Sequence, residues 1–150
     1  PLHAVVEEAW AMLAAPAAAL ALHYDDGLAG QPLPPVRADR RRLKQVLANL
    51  LSNAVKYNRP GGRVAVRAAV HDGRVQLDVS DTGRGMQAEQ LDRLFQPFER
   101  LGAQRGPVAG TGLGLALSRQ LLEAMGGQIS VSSALDRGST FRLQLPVAGG

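Results

Sequence analysis

The apolar positions of "LHAVVEEAWAMLAA" recur at helical spacing and predict an opening helix that ends at Pro16. "ALALHYDD" reads as a short strand, and "GLAGQPLPPV" as a Gly/Pro loop leading to Asp39, a side chain suited to an N-cap. The next helix is predicted from about Arg40 to Tyr57, where "NRPGG" stops it. The periodicity then changes to two. "RVAVRAAV" (Val64, Val66, Ala68, Val70) and "RVQLDVS" (Val75, Leu77, Val79) alternate on either side of "HDG", the pattern of a β-hairpin. A short helix, "QAEQLDRLF", precedes a Gly/Pro/Arg segment from Gln96 to Gly110, long enough to be a lid, a binding loop or a disordered stretch. "LGLALSRQLLEAM" is again amphipathic and is followed by the cap Gly126-Gly127. "QISVSS" and "TFRLQLP" around "LDRGS" form a second hairpin. Helices that alternate with antiparallel hairpins predict an α+β fold. The expected architecture is a two-layer α/β sandwich with helices on one face of a mixed, mostly antiparallel sheet.

Within the second long helix lies "NLLSNAVKY", with two asparagines four residues apart, although asparagine is a poor helix former. At about 100° per residue, Leu43, Val46, Leu47, Leu50, Leu51 and Ala54 fall on one side and are expected in the core. Gln45, Asn49, Asn53 and Lys56 share another side, with Tyr57 at the border. An amide oxygen is a hard, neutral ligand. Mg²⁺ takes one or two such protein oxygens and completes its shell with water and nucleotide phosphates, which Lys56 could also reach. An ordinary solvated helix face accounts for the same four residues equally well.

Three further stretches carry candidate chemistry. In "VQLDVSDTGRGM", Asp81 closes a strand ahead of Gly83 and Gly85, so a carboxylate stands beside backbone that no side chain blocks; it can accept a hydrogen bond from an adenine amino group, or simply belong to a turn. In "GTGLGLALS", Gly110, Gly112 and Gly114 lead into an apolar helix whose N–H groups can hold phosphate. The spacing is neither that of a Walker A loop nor that of the dinucleotide fingerprint, and a flexible hinge explains it too. In "LFQPFERL", Phe95 and Phe98 flank Pro97; Arg100, and Arg105 further into the loop, can meet phosphate, whereas the phenylalanines suit the core.

Composition narrows the classes. At 150 residues the chain fits one domain, residues 1–150, with an ordinary core. Without cysteine, neither disulfides nor a thiolate metal site can form. A net charge of +4 permits an anionic partner, but the arginines are dispersed and aromatics make up only 4%, so no nucleic-acid partner is expected. The apolar tract from Ala11 to Leu22 is broken by Pro16 and too short to span a bilayer, and the start lacks the basic region of a signal peptide. No direct membrane contact and a cytoplasmic location are expected.

In this order and spacing the motifs resemble, along nearly the whole chain, the catalytic ATP-binding domain of two-component sensor histidine kinases, which has the Bergerat (GHKL) fold. "NLLSNAVKY" is similar to that family's N box, "DTGRGM" to its first glycine box, "LFQPFERL" to its F box and "GTGLGLALS" to its second glycine box. The resemblance implies ATP and Mg²⁺ as cofactors. It implies that Asn53 holds the metal, supported by Asn49, that Lys56 contacts phosphate, and that Tyr57 lies against the adenine that Asp81 recognises. Gly83 and Gly85 would line the base pocket. Gly110, Thr111, Gly112, Leu113 and Gly114 would form the phosphate side of a lid, with Arg100 and Arg105 as further phosphate contacts.

Relatives of the same fold that hydrolyse ATP place a glutamate one turn before the metal-binding asparagine. Here that position is Asn49, an amide that cannot take a proton from water, which favours a phosphotransferase. None of His3, His23 and His71 lies in a sequence like "SHELRTP", so the phosphoacceptor histidine and its dimerising helices are expected outside this chain, with a response regulator receiver domain as indirect partner. On this reading the chain alone does not autophosphorylate. An ATP hydrolase, and a non-catalytic module that keeps the pocket only as a scaffold, are the alternatives.

Overall fold

The computed structural model describes residues 2–28, 33–83, 114–134 and 138–147. The first apolar pattern forms two helices, α1 (Leu2–Ala11) and α2 (Ala14–Ala19), where one ending at Pro16 was expected. Proline lacks only an N–H that the first helical turn leaves unpaired, so Pro16 sits inside the start of α2. The predicted strand "ALALHYDD" shrinks accordingly to β1 (His23–Asp26). Helix α3 (Arg40–Lys56) begins at the predicted cap, where the Asp39 carboxylate accepts from the Arg42 N–H at 3.1 Å, and Tyr57 closes it.

Strands β2 (Arg63–His71) and β3 (Arg74–Asp81) form the first hairpin. Asp72 (φ 50°) and Gly73 (φ 73°) are both left-handed, as a two-residue turn between right-twisted strands requires. Helix α4 (Gly114–Ala124) is stopped by Gly126 (φ 79°), and the Gly127 N–H returns to the Leu122 carbonyl at 2.8 Å. Strands β4 (Gln128–Ala134) and β5 (Gly138–Pro146) complete a sheet of order β1-β2-β3-β5-β4, in which only β1 and β2 run parallel.

The core is the buried stripe of α3 laid on one face of the sheet. Leu43, Val46, Leu47, Leu50, Leu51 and Ala54 are all buried as their spacing predicts, and Val55 joins them. Across from them lie Val64, Val66, Val75, Leu77, Val79, Phe141, Leu143 and Leu145. Helix α3 packs between α1 and α4. The opposite sheet face is polar, with Arg142 forked onto Asp78 at 2.9 and 3.2 Å. The mixed α+β sandwich with helices on one face is therefore the architecture that the periodicity predicts. Among the described residues no helix is long and apolar enough to cross a membrane.

Candidate functional site

The C-terminal end of α3 and the end of β3 meet at one end of the sheet. On α3, Asn49 and Asn53 are half-buried and Lys56 is exposed. The Asn49 amide nitrogen donates to Ser118 Oγ of α4 at 3.2 Å, which ties the second long helix to the helix that follows the glycine-rich stretch. Ser118 is completely buried, a hydroxyl among the apolar residues Ala116 and Leu122. The Asn53 side chain makes no hydrogen bond to another described residue, although its backbone carbonyl closes the helix by accepting from the Tyr57 N–H at 3.1 Å. A half-buried amide of this kind, one turn from Asn49, suits a hard cation or a phosphate-bound water.

Asp81 ends β3 as a half-buried carboxylate. Its Oδ1 accepts from the Gly83 N–H at 2.8 Å, and the backbone of Ser139 supplies another hydrogen bond. Burial pushes its pKa up to about 6; those two backbone donors oppose the rise without cancelling it. A desolvated acceptor with one face already fixed by backbone donors is suited to an uncharged N–H donor such as an exocyclic amine. Gly83 is buried, and a Cβ there would collide with the Tyr57 carbonyl oxygen and with Asp81 Oδ1. Tyr57, Asp81 and Gly83, predicted from separate motifs, are thus in direct apposition.

Several residues that build this apposition carry no motif signal. Asn58 is buried; its Nδ2 donates to the Arg63 carbonyl at 3.0 Å and its Oδ1 accepts from the Arg59 N–H at 2.8 Å. Thr82 Oγ1 accepts from the Arg63 N–H at 2.8 Å, so the end of α3 and the end of β3 are both fastened to the start of β2. Gly138 (φ 95°) opens β5 so close to β3 that a Cβ would overlap the Asp81 carbonyl oxygen. In the sequence it looked like part of a turn. The visible signals were a small residue directly before a strand and, for Ser118, a hydroxyl at an apolar helical position.

Gly138→Ala combines a left-handed backbone with a steric overlap. It is expected to destabilise the fold by at least about 1–3 kcal/mol, a loss that urea unfolding would measure. An unchanged midpoint would mean that β5 can move away from Asp81.

Of the other predicted residues, Gly114 starts α4. Gly85, Arg100, Arg105, Gly110, Thr111, Gly112 and Leu113, together with Phe95 and Phe98, lie outside the described residues.

A protein-family model described as histidine kinase-, DNA gyrase B-, and HSP90-like ATPase matches residues 38–149. Histidine protein kinase DivJ of Caulobacter vibrioides is 44% identical over 119 residues, 77% of this chain and 20% of DivJ. The structure of the mycobacterial sensor histidine kinase MprB superposes with a TM-score of 0.79 at 27% identity, covering 97% of this chain and 95% of that one. Full-length ShkA, solved in complex with AMPPNP, superposes with a TM-score of 0.82 at 30% identity, over 100% of this chain and 31% of ShkA. The chain therefore spans about a fifth of the length of DivJ and under a third of ShkA.

Proposed function

We propose that this chain, which belongs to the histidine kinase-, DNA gyrase B- and HSP90-like ATPase family, binds Mg-ATP and donates the γ-phosphate to a histidine on a separate dimerisation and phosphoacceptor domain. The family has histidine-kinase and ATP-hydrolysing branches, and the observation that carries the choice is Asn49. This side chain stands one turn before Asn53, and its nitrogen is engaged with buried Ser118. An amide there cannot deprotonate water. A neutral imidazole already offers a lone pair and asks the ATP-binding domain only for orientation and charge neutralisation.

Each side chain then has one task. Asp81 accepts from the adenine amine, Tyr57 lies against the base, and Gly83, which lets the Tyr57 carbonyl pack close to Asp81, lines the base pocket. Asn53, supported by Asn49, would hold the ion, and Lys56 would contact the phosphates; when bound, the ion neutralises phosphate charge. Gly85, Arg100, Arg105 and the stretch Gly110, Thr111, Gly112, Leu113 and Gly114 are proposed to complete the base and phosphate pockets. The parent protein would pass the phosphoryl group on to a response regulator receiver domain and work in the cytoplasm, whether or not it is anchored elsewhere.

Calorimetry of this chain with ATP, with and without Mg²⁺, tests the reading. The parent chain should bind more tightly with the ion present. Asn53→Ala should keep adenine-dependent binding and lose most of the gain from Mg²⁺. No nucleotide binding at all would favour a degenerate scaffold, and an equal gain in mutant and parent would remove the ion from Asn53.

A further inference from the structure

We propose that His3, Glu7 and Asp26 form a binding site for a divalent ion of the zinc type at the junction of α1 and β1. Glu7 lies one turn after His3 on the same face of α1, and Asp26 is the last residue of β1. His3 Nε2 is 3.0 Å from Glu7 Oε1 and 2.8 Å from Asp26 Oδ2. The three ligand atoms all lie within 4.8 Å of one another. The Asp26 carboxylate is aimed by its neighbour, because its Oδ1 accepts from the Leu28 N–H at 3.0 Å.

One nitrogen serving two carboxylates is an overcommitted donor. Nε2 carries at most one proton, and one N–H points along one line, so it cannot satisfy both oxygens well. A cation at the centre of the triangle meets all three. Imidazole nitrogen with two carboxylates suits zinc, whose bonds to such atoms are about 2.0–2.2 Å; at a tetrahedral angle the ligand atoms then lie about 3.3 Å apart. The observed 2.8 and 3.0 Å need to open only slightly, and Glu7, with 60% of its side chain exposed, is able to move. The same exposure leaves a side open for a water as fourth ligand.

Tyr24 supplies an independent observation. Its hydroxyl is buried and finds no hydrogen-bond partner among the described residues. Tyr24 and Asp26 are two residues apart on β1 and so lie on the same side of the strand, which sets this phenol donor on the side of the cluster. Water carried by an ion at this cluster would offer an acceptor to that donor. The ring itself is fixed by stacking on Trp10, with centroids 4.1 Å apart and planes at 11°.

Trp10 is the only tryptophan, which makes it a local reporter. Zinc alone, titrated calorimetrically into the nucleotide-free chain at mildly alkaline pH, is expected to bind with one equivalent. Cobalt in its place should quench Trp10 emission. His3→Gln and Glu7→Gln should each weaken zinc at least about tenfold and reduce the cobalt quenching, with circular dichroism confirming that the variants fold. Magnesium, which prefers oxygen ligands in an octahedron, should not displace the zinc. Absence of zinc uptake, or the same affinity in the parent and both variants, would overturn the site, as would ready displacement by magnesium.

Discussion

Asp81→Asn is expected to weaken ATP by about 10- to 150-fold, the equivalent of about 1.5–3 kcal/mol for a hydrogen bond to a charged group. The substitution changes little else. Asparagine has the same shape and keeps a carbonyl oxygen for the Gly83 N–H, so the strand end stays in place. The amide nitrogen is then left toward the base, where a donor would face the donor of the adenine amine. Calorimetry with ATP and with a nucleotide lacking that amine separates the effects: only the adenine nucleotide should suffer. Equal affinity of parent and mutant for ATP would remove Asp81 from base recognition.

The same carboxylate predicts a pH dependence of opposite sign for binding and for stability. Burial raises its folded pKa from 3.8 to about 6, so the folded chain holds this proton more tightly than the unfolded chain. The stability it contributes is fully present below about pH 3.8 and is lost as pH rises through about 6. The gap corresponds to at most about 3 kcal/mol, and partial solvent access reduces it. The nucleotide-free Asp81→Asn chain should therefore be more stable than the parent at neutral pH, by on the order of 1–2 kcal/mol, and the difference should vanish in acid. Binding needs the ionised form, so the parent's ATP affinity should fall below about pH 6 more steeply than the mutant's. Protonation of the phosphates is common to both proteins, so the difference between the two profiles belongs to Asp81. Parallel profiles would show that its ionisation is not coupled to the nucleotide.

The parts of this molecule legible in its sequence are those that depend on local period and turn chemistry. The α3 stripe, the Asp39 cap and the Asp72-Gly73 hairpin needed only spacing and the identity of a few residues. Pro16 was misleading because its effect depends on position within a helix: it terminates an interior and is harmless in a first turn. The apposition of Gly83 with Tyr57 was not legible, since they stand 26 positions apart and meet because Asn58, after α3, and Thr82, after β3, both bind Arg63 at the start of β2. Nor was the role of Ser118, which depends on α4 lying against α3, or that of Gly138, which depends on β5 closing against β3 at Asp81. The motifs identified the groups that would touch a ligand. The residues that hold those groups in place are ordinary side chains whose partners lie far away in sequence.

The isolated chain is expected to bind ATP without turning it over. This result separates the proposed phosphotransferase from the hydrolytic branch. Asn49 offers no base for water, and its amide nitrogen already donates to Ser118 Oγ. The chain's own histidines are poor acceptors. His3 is held by two carboxylates at 2.8 and 3.0 Å. His71 pairs with Arg74 at the hairpin end of β2, whereas Asp81 pairs with Val64 near its start. Seven residues of strand at about 3.3 Å each put His71 roughly 23 Å from the Asp81 end of the sheet. His23 begins edge strand β1 and belongs to no acceptor motif. Incubation with γ-labelled ATP should leave the chain unlabelled. Adding the dimerising helices of the parent protein, fused or at high concentration, should then give a label on their histidine, because proximity and orientation are what the chain lacks. The bond should be acid-labile, as a phosphoramidate is and a phosphoserine ester is not. Brisk hydrolysis by the chain alone would place it in the hydrolytic branch and strip Asn49 of its discriminating role. Acid-stable labelling of the chain would refute transfer to histidine, and an acid-labile label confined to His23 would show that the acceptor lies within the chain itself.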